Sequence, residues 1–137
     1  MNVIADTNIL VRIAIKDDEK QAAAATRLFL EAETFTVPAS AMCEYVWVLS
    51  RTYKQSSSKI AVSIRNLIQT ESVIVQDEEI EAGLTMLDQG GDFADGVHAF
   101  TGHAMAPKAA VFASFDKHAV RLLAERGLPA FVPDYPL

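Results

Sequence analysis

The sequence predicts a three-layer α/β domain, with a mostly parallel central sheet of about five short strands flanked by helices. Three observations carry that expectation. Five brief apolar segments are separated mostly by stretches of helical periodicity, and a helix between successive strands is the connection a parallel sheet requires. Most boundaries carry a residue with a physical reason to be there: an acid or serine opening a helix, a glycine or proline closing one. The 137 residues are 50% hydrophobic and 22% charged, which is enough apolar material for one core, so residues 1–137 are expected to form a single domain.

The first strand is Asn2 to Ala5, an apolar run halted by Asp6, after which Ile9, Leu10, Ile13 and Ala14 recur at helical spacing. A second helix is predicted from about Glu19 to Glu33, its Ala22 to Ala25 run being a strong helix former, and Phe35 to Val37 before Pro38 is the second strand. Ser40 is placed as the cap of a third helix carrying Met42 to Tyr53. The serines at 56 to 58 break it and cap a fourth helix ending near Thr70. Val73 to Val75 is the third strand. Asp77 opens a helix to about Gln89, where Asp77, Glu78, Glu79 and Glu81 suit the positive end of the helix dipole. Gly90 and Gly91 close it, and Asp92 starts the next helix, which reaches about Met105 before Pro107. Ala110 to Ala113 is the fourth strand, Asp116 opens a helix to Arg126, and Gly127 and Pro129 lead into the fifth strand, Ala130 to Val132. No repeat, low-complexity tract or linker interrupts this order.

Charge and apolar patterning narrow the function classes. Twelve basic against 18 acidic residues give a net charge of −6, the wrong sign for binding nucleic acid through overall charge, so any such partner must be met locally. One stretch has the required sign: from Tyr45 to Thr70 there is no acid, while Arg51, Lys54, Lys59 and Arg65 are present. It is the best candidate for phosphate-backbone contacts, with Tyr53 available for stacking, and its plain alternative is a solvated helix face. Apolar runs such as Tyr45 to Leu49 and Ala109 to Ala113 fall far short of the roughly 20 residues a membrane helix needs. Asp6 arrives before any basic leader or apolar stretch, so no secretory signal is expected. Cys43 is the lone cysteine and forms no internal disulfide, which fits a reducing compartment. A cytoplasmic protein with no membrane partner is expected.

In open parallel sheets, ligands collect outside the carboxyl ends of the strands. Asp6 follows the first strand, and Asp116 follows the fourth with only Ser114 and Phe115 between, so both belong at one edge. Each is also readable as a helix N-cap. Asp92 fits the cap reading well, and Asp95 is either the reciprocal acid of a capping-box-like arrangement or a member of the edge that holds Asp6. Glu44 is the only charged residue between Glu33 and Arg51, within a segment expected to be largely buried. A buried glutamate must be paired, protonated or metal-bound, and Arg51, seven residues on, is the pairing alternative. Asp6, Glu44, Asp95 and Asp116 brought together cannot all ionise without a cation, for which Mg²⁺ or Mn²⁺ is the hard, oxygen-seeking choice. Thr7, Asn8 and Ser114 are supporting residues that orient ligands or water, with local turn bonding as their alternative. His98, His103 and His118 are not expected as ligands in such an oxygen-rich site.

The opening Val3-Ile-Ala-Asp6-Thr7-Asn8, the lone helical Glu44, Asp92-Phe-Ala-Asp95 and Ser114-Phe-Asp116 resemble the four acidic motifs of PIN-domain ribonucleases. Their order, spacing and length are similar to the VapC toxins of bacterial toxin-antitoxin pairs, across essentially the whole chain. The resemblance implies a PIN-like domain and a Mg²⁺- or Mn²⁺-dependent endoribonuclease, with Asp6, Glu44, Asp95 and Asp116 as catalytic and metal-binding residues. It favours Asp95 as ligand and Asp92 as cap or neighbour, and puts Thr7, Asn8 and Ser114 in the active-site shell. It also implies an RNA substrate, for which Arg51, Lys54 and Lys59 are the candidate contacts, a homodimer, and a VapB-like antitoxin that neutralises the activity. Gly96 departs in character, since glycine in a first helical turn costs roughly 1 kcal/mol relative to alanine.

Three other readings fit the same residues less well. A haloacid-dehalogenase-like phosphatase wants a second Asp two positions after its nucleophile, and here Asn8 occupies that place. A catalytically silent PIN-like scaffold is disfavoured by four matched acids. A receiver-like phosphate-binding module would need an acidic pair beside its phospho-acceptor and a lysine after a late strand, which Thr7-Asn8 and Ser114-Phe115 do not clearly supply.

Overall fold

The computed structural model describes residues 1–134, and the last three residues of the domain expected over 1–137 lie outside the described residues. Along the chain run β1 (Asn2–Ile4), α1 (Thr7–Ala14), α2 (Glu19–Glu31), β2 (Thr34–Val37), α3 (Ala39–Arg51) and α4 (Ser57–Ile68). They are followed by β3 (Val73–Val75), α5 (Asp77–Asp88), α6 (Phe93–Met105), β4 (Phe112–Ala113), α7 (Lys117–Glu125) and β5 (Ala130–Phe131). The fold is α/β and mostly helical, and the five expected strands are all present. They are shared between two parallel sheets, β1-β2-β3 and β4-β5. The chain divides into two compact units, Met1–Ile80 and Glu81–Leu137.

In the first unit, Val3, Phe35 and Val73 stand in register across the sheet, as do Ile4, Thr36 and Ile74. Period-2 alternation then separates two faces. Phe35 and Val37 are fully buried, whereas Ile4 and Ile74 are exposed. Leu10, Met42, Leu49, Ile60 and Ile64 are buried in the same unit, each worth about 1.5–3 kcal/mol when fully buried. Phe29 meets Phe35 edge-on with ring centroids 4.9 Å apart, the arrangement ring quadrupoles favour.

Helix α3 corrects one expected cap. Ser40 lies inside the helix, which starts at Ala39 with Pro38 as its N-cap residue and no side-chain cap of its own. Gln76 replaces it from a distance, its Oε1 accepting the Ala39 N–H at 2.8 Å. At the other end the Tyr53 N–H donates to the Val48 carbonyl (3.3 Å) and the Gln55 N–H to the Leu49 carbonyl (3.0 Å). That closure forces Lys54 to φ 55°, the left-handed region where Cβ crowds the backbone. Lys54→Gly is therefore expected to stabilise the protein by about 0.5–1 kcal/mol, read as a higher denaturation midpoint. A lower midpoint would mean that contacts of the lysine side chain outweigh the backbone strain.

In the second unit, α5 ends as its glycines suggest. Gly90 takes φ 82°, and the Gly91 N–H donates back to the Met86 carbonyl at 2.8 Å. Met86, Ala99, Ala119, Leu122 and Leu123 form a buried cluster, with Phe112, Leu128 and Ala130 packed against it. Gly96 is there for packing: a Cβ at this position would collide with the Ala82 carbonyl and with Met86 Cγ. Among the described residues no helix is long and apolar enough to cross a membrane.

Candidate active site

In the first unit Asp6 follows β1 after the buried Ala5 and caps α1, its Oδ1 accepting the Thr7 N–H at 2.8 Å. Thr7 is itself buried, and its hydroxyl donates to Glu44 Oε2 at 3.3 Å. One threonine thus touches two of the four expected acids. Glu44 differs from expectation in two ways. It stands on the exposed side of α3, because Met42, Tyr45, Val46 and Leu49 form the row that turns to the core. The bulk hydropathy of this segment overstates its burial, since Trp47 faces solvent at 58% exposure. The cost of burying a glutamate therefore does not bear on Glu44, and its hydrogen-bond partner is Thr7 rather than Arg51.

Asp6, Thr7, Asn8, Arg12, Glu44 and Tyr53 are among the residues lining a cavity of about 360 Å³. Arg12 is the member the sequence did not single out. Its Nη1 pairs with Asp17 Oδ1 at 2.6 Å, and its Nε donates to Gln21 Oε1 at 2.8 Å. Hydrogen bonding with Tyr53, helped by the charge of Asp17, holds the guanidinium above its ordinary range. The Tyr53 hydroxyl also donates to Asp17 Oδ2 at 3.1 Å, which ties down the aromatic ring expected to stack on a base. Nothing in the spacing of Arg12, Asp17 and Tyr53 announces this cluster; it arises where the α1–α2 turn meets the end of α3.

In the second unit each acid has a defined place. Asp92 Oδ1 accepts the Ala94 N–H at 3.1 Å and caps α6. Asp116 Oδ1 accepts from the His118 N–H (3.0 Å) and the Ala119 N–H (3.1 Å), capping α7. Ser114 Oγ accepts the Asp116 N–H at 3.0 Å, so the serine fixes the turn that delivers the aspartate. Asp95 is half-buried in the first turn of α6. Burial first, then the charges of Asp92 and Asp116, push its carboxyl above the usual aspartate range, and His98 opposes them. His118 is engaged in structure, with Nδ1 against Arg121 Nη2 at 2.7 Å and Nε2 against the Gly90 carbonyl at 3.2 Å.

Capping and metal binding are compatible for these aspartates. Asp6, Asp92 and Asp116 each use one oxygen, Oδ1, in the cap bond, and a carboxylate offers about four lone-pair positions. The cap fixes the carboxylate without exhausting it. The donors are all carboxylate oxygens, the chemistry a hard divalent cation prefers, and a cation would reverse the penalty that burial and two like charges place on ionised Asp95. As placed, however, no three or more His, Cys, Asp or Glu side chains among the described residues form a group able to hold a metal ion. Arg51, Lys54 and Lys59 are all exposed.

Parallel strands with carboxylates one to three residues beyond their ends put this chain in the class of α/β domains whose chemistry sits on loop acids. Within that class it belongs to the PIN domain family, whose profile matches residues 3–124. PIN domains are generally nucleases and typically bind a divalent metal. No curated protein matches the chain.

Proposed function

We propose that the protein is a Mg²⁺- or Mn²⁺-dependent endoribonuclease, a VapC-like toxin acting as a single PIN-like domain over residues 1–137. Asp6, Glu44, Asp95 and Asp116 are its metal-binding and catalytic residues. The observation that carries this reading is Asp95, a half-buried carboxylate held against the charges of Asp92 and Asp116 inside a PIN match. Such a group is poorly explained by stability and well explained by cation binding. The cation, when bound, supplies Lewis acidity toward the phosphodiester and an acidified water. The chain's own residues do the positioning. Cap bonds orient Asp6 and Asp116, the Thr7 hydroxyl steadies Glu44, and Ser114 sets the turn before Asp116. Asn8 lines the same cavity as Asp6 and supports it.

RNA is held by phosphate contacts from Arg51, Lys54 and Lys59 in the acid-free stretch. Neutralising each to Gln should lower the salt slope of single-stranded RNA binding by about 0.7 for every phosphate that is no longer neutralised. An unchanged slope would leave these residues as a solvated face. The toxin works in the cytoplasm as a homodimer, and a VapB-like antitoxin neutralises it. The test of activity is direct: purified protein should cut RNA with Mn²⁺ or Mg²⁺ and stop in EDTA, and the chain expressed alone should arrest growth. Cleavage that persists in chelator would overturn the metal mechanism. The alternative, a catalytically silent PIN-like or receiver-like phosphate-binding module, draws on the cap bonds of Asp6, Asp92 and Asp116. It predicts phosphate binding with no cleavage under any metal.

A further inference from the structure

Trp47 is the only tryptophan of the chain, and it lies 58% exposed on α3. Leaving so much indole in water forgoes a large part of the burial that makes tryptophan useful to a core. Its neighbours on the helix give the exposure a purpose. At about 100° and 1.5 Å per residue, Trp47 stands roughly 60° round from Glu44 and about 4.5 Å along the axis, on the flank opposite Val48 and Thr52. Val48 and Thr52 line the cavity that holds Asp6 and Glu44, so the indole stands beside that cavity and outside it. Arg51 follows Trp47 at i+4 on the same side, also exposed. Of the two tyrosines of this stretch, Tyr45 is buried and Tyr53 is tied to Asp17.

We propose that Trp47 is a stacking platform for one unpaired nucleobase of the RNA, next to the phosphate held at the acid cavity, with Arg51 contacting the following phosphate. This rests on the nuclease reading of that cavity. Arg51, one turn on from Trp47 and exposed, supplies the positive charge that suits a phosphodiester strand, and the sequence adds no acid from Tyr45 to Thr70. Trp47 neighbours Glu44 on the exposed side of α3, so the stacked base belongs to a nucleotide flanking the cavity. Stacking also selects single strands, since a base inside a duplex has no open face. Specificity at that position follows stacking strength, with purines above pyrimidines.

Because Trp47 is the sole tryptophan, its emission reports the contact without any need for cleavage. Wild-type protein is titrated in EDTA with unstructured oligoadenylate, oligouridylate and a blunt RNA duplex, reading tryptophan fluorescence and, in parallel, anisotropy of labelled RNA. The expected result is quenching by the single strands, stronger for adenylate, and none by the duplex. Trp47→Ala should weaken binding about 10-fold and Trp47→Phe far less. RNA binding at wild-type strength by Trp47→Ala, with no quenching in the wild type, would overturn the platform and leave the nuclease reading standing. Absence of both RNA binding and metal-dependent cleavage would overturn both. Emission that changes with protein concentration alone, and a dimer lost in Trp47→Ala, would assign the indole to a protein interface and overturn the platform.

Discussion

Asp95→Asn should lower RNA cleavage on the order of 10²- to 10³-fold while making the metal-free protein more stable. The first half follows from losing a charge that holds the cation, since several kcal/mol of transition-state stabilisation pass through the metal. The second half follows from the direction of the Asp95 shift. Its carboxyl is raised by burial and by the charges of Asp92 and Asp116. At pH below the unfolded aspartate range, near 3.9, the group is protonated in both states and costs nothing. As pH rises through the folded value, ionisation becomes more costly in the native state than in the unfolded chain, and the stability present at low pH is lost. The gain from Asn should therefore be absent near pH 3 and grow toward pH 7. Because the side chain is partly exposed to solvent, salt should shrink it. Adding Mn²⁺ should reverse the order, stabilising wild type and leaving Asp95→Asn unmoved. Melting curves with and without Mn²⁺ across that pH range check each step. A destabilised variant that still cleaves would make Asp95 a structural residue of the α6 start.

Gly96→Ala should destabilise by about 1–3 kcal/mol, the range for overpacking a closed core. Helix propensity alone predicts the opposite sign, a gain of about 1 kcal/mol. The structure decides between them. A Cβ at 96 meets the Ala82 carbonyl, a backbone group that moves only with all of α5. Met86 Cγ lies 2.8 Å from the same point, and Met86 belongs to the buried cluster of the second unit. Chemical denaturation of the variant gives the sign directly. A higher midpoint would show that α5 shifts at little cost and that Gly96 is a tolerated weakness.

How far the fold was legible can be judged from these positions. Every strand lay where an apolar run met a breaker, and Asp6, Ser56, Asp92 and Asp116 all cap helices as the sequence suggests. Local signals suffice there because cap and turn chemistry acts over a few residues. What sequence could not supply was long-range. Gln76 capping Ala39 spans 37 positions, and Gly96 against Ala82 is a contact between two helices. The five strands were anticipated as one sheet, but the hydrogen-bond ladder that groups them three and two depends on pairing, which periodicity does not encode. At the site, the acids were legible by their places after strands and at helix starts. The exposure of Glu44 and Trp47 was not, because hydropathy averages over a helix whose two sides meet different environments.

The most direct measurement of the central claim is Mn²⁺ binding by calorimetry to wild-type protein, Asp6→Asn and Asp116→Asn, each checked for native melting beforehand. If Asp6 and Asp116 are metal-binding residues, the wild type should bind Mn²⁺, and each single substitution should weaken that binding at least about 10-fold. Wild-type affinity retained by both variants would contradict the account and leave the two aspartates as helix caps alone.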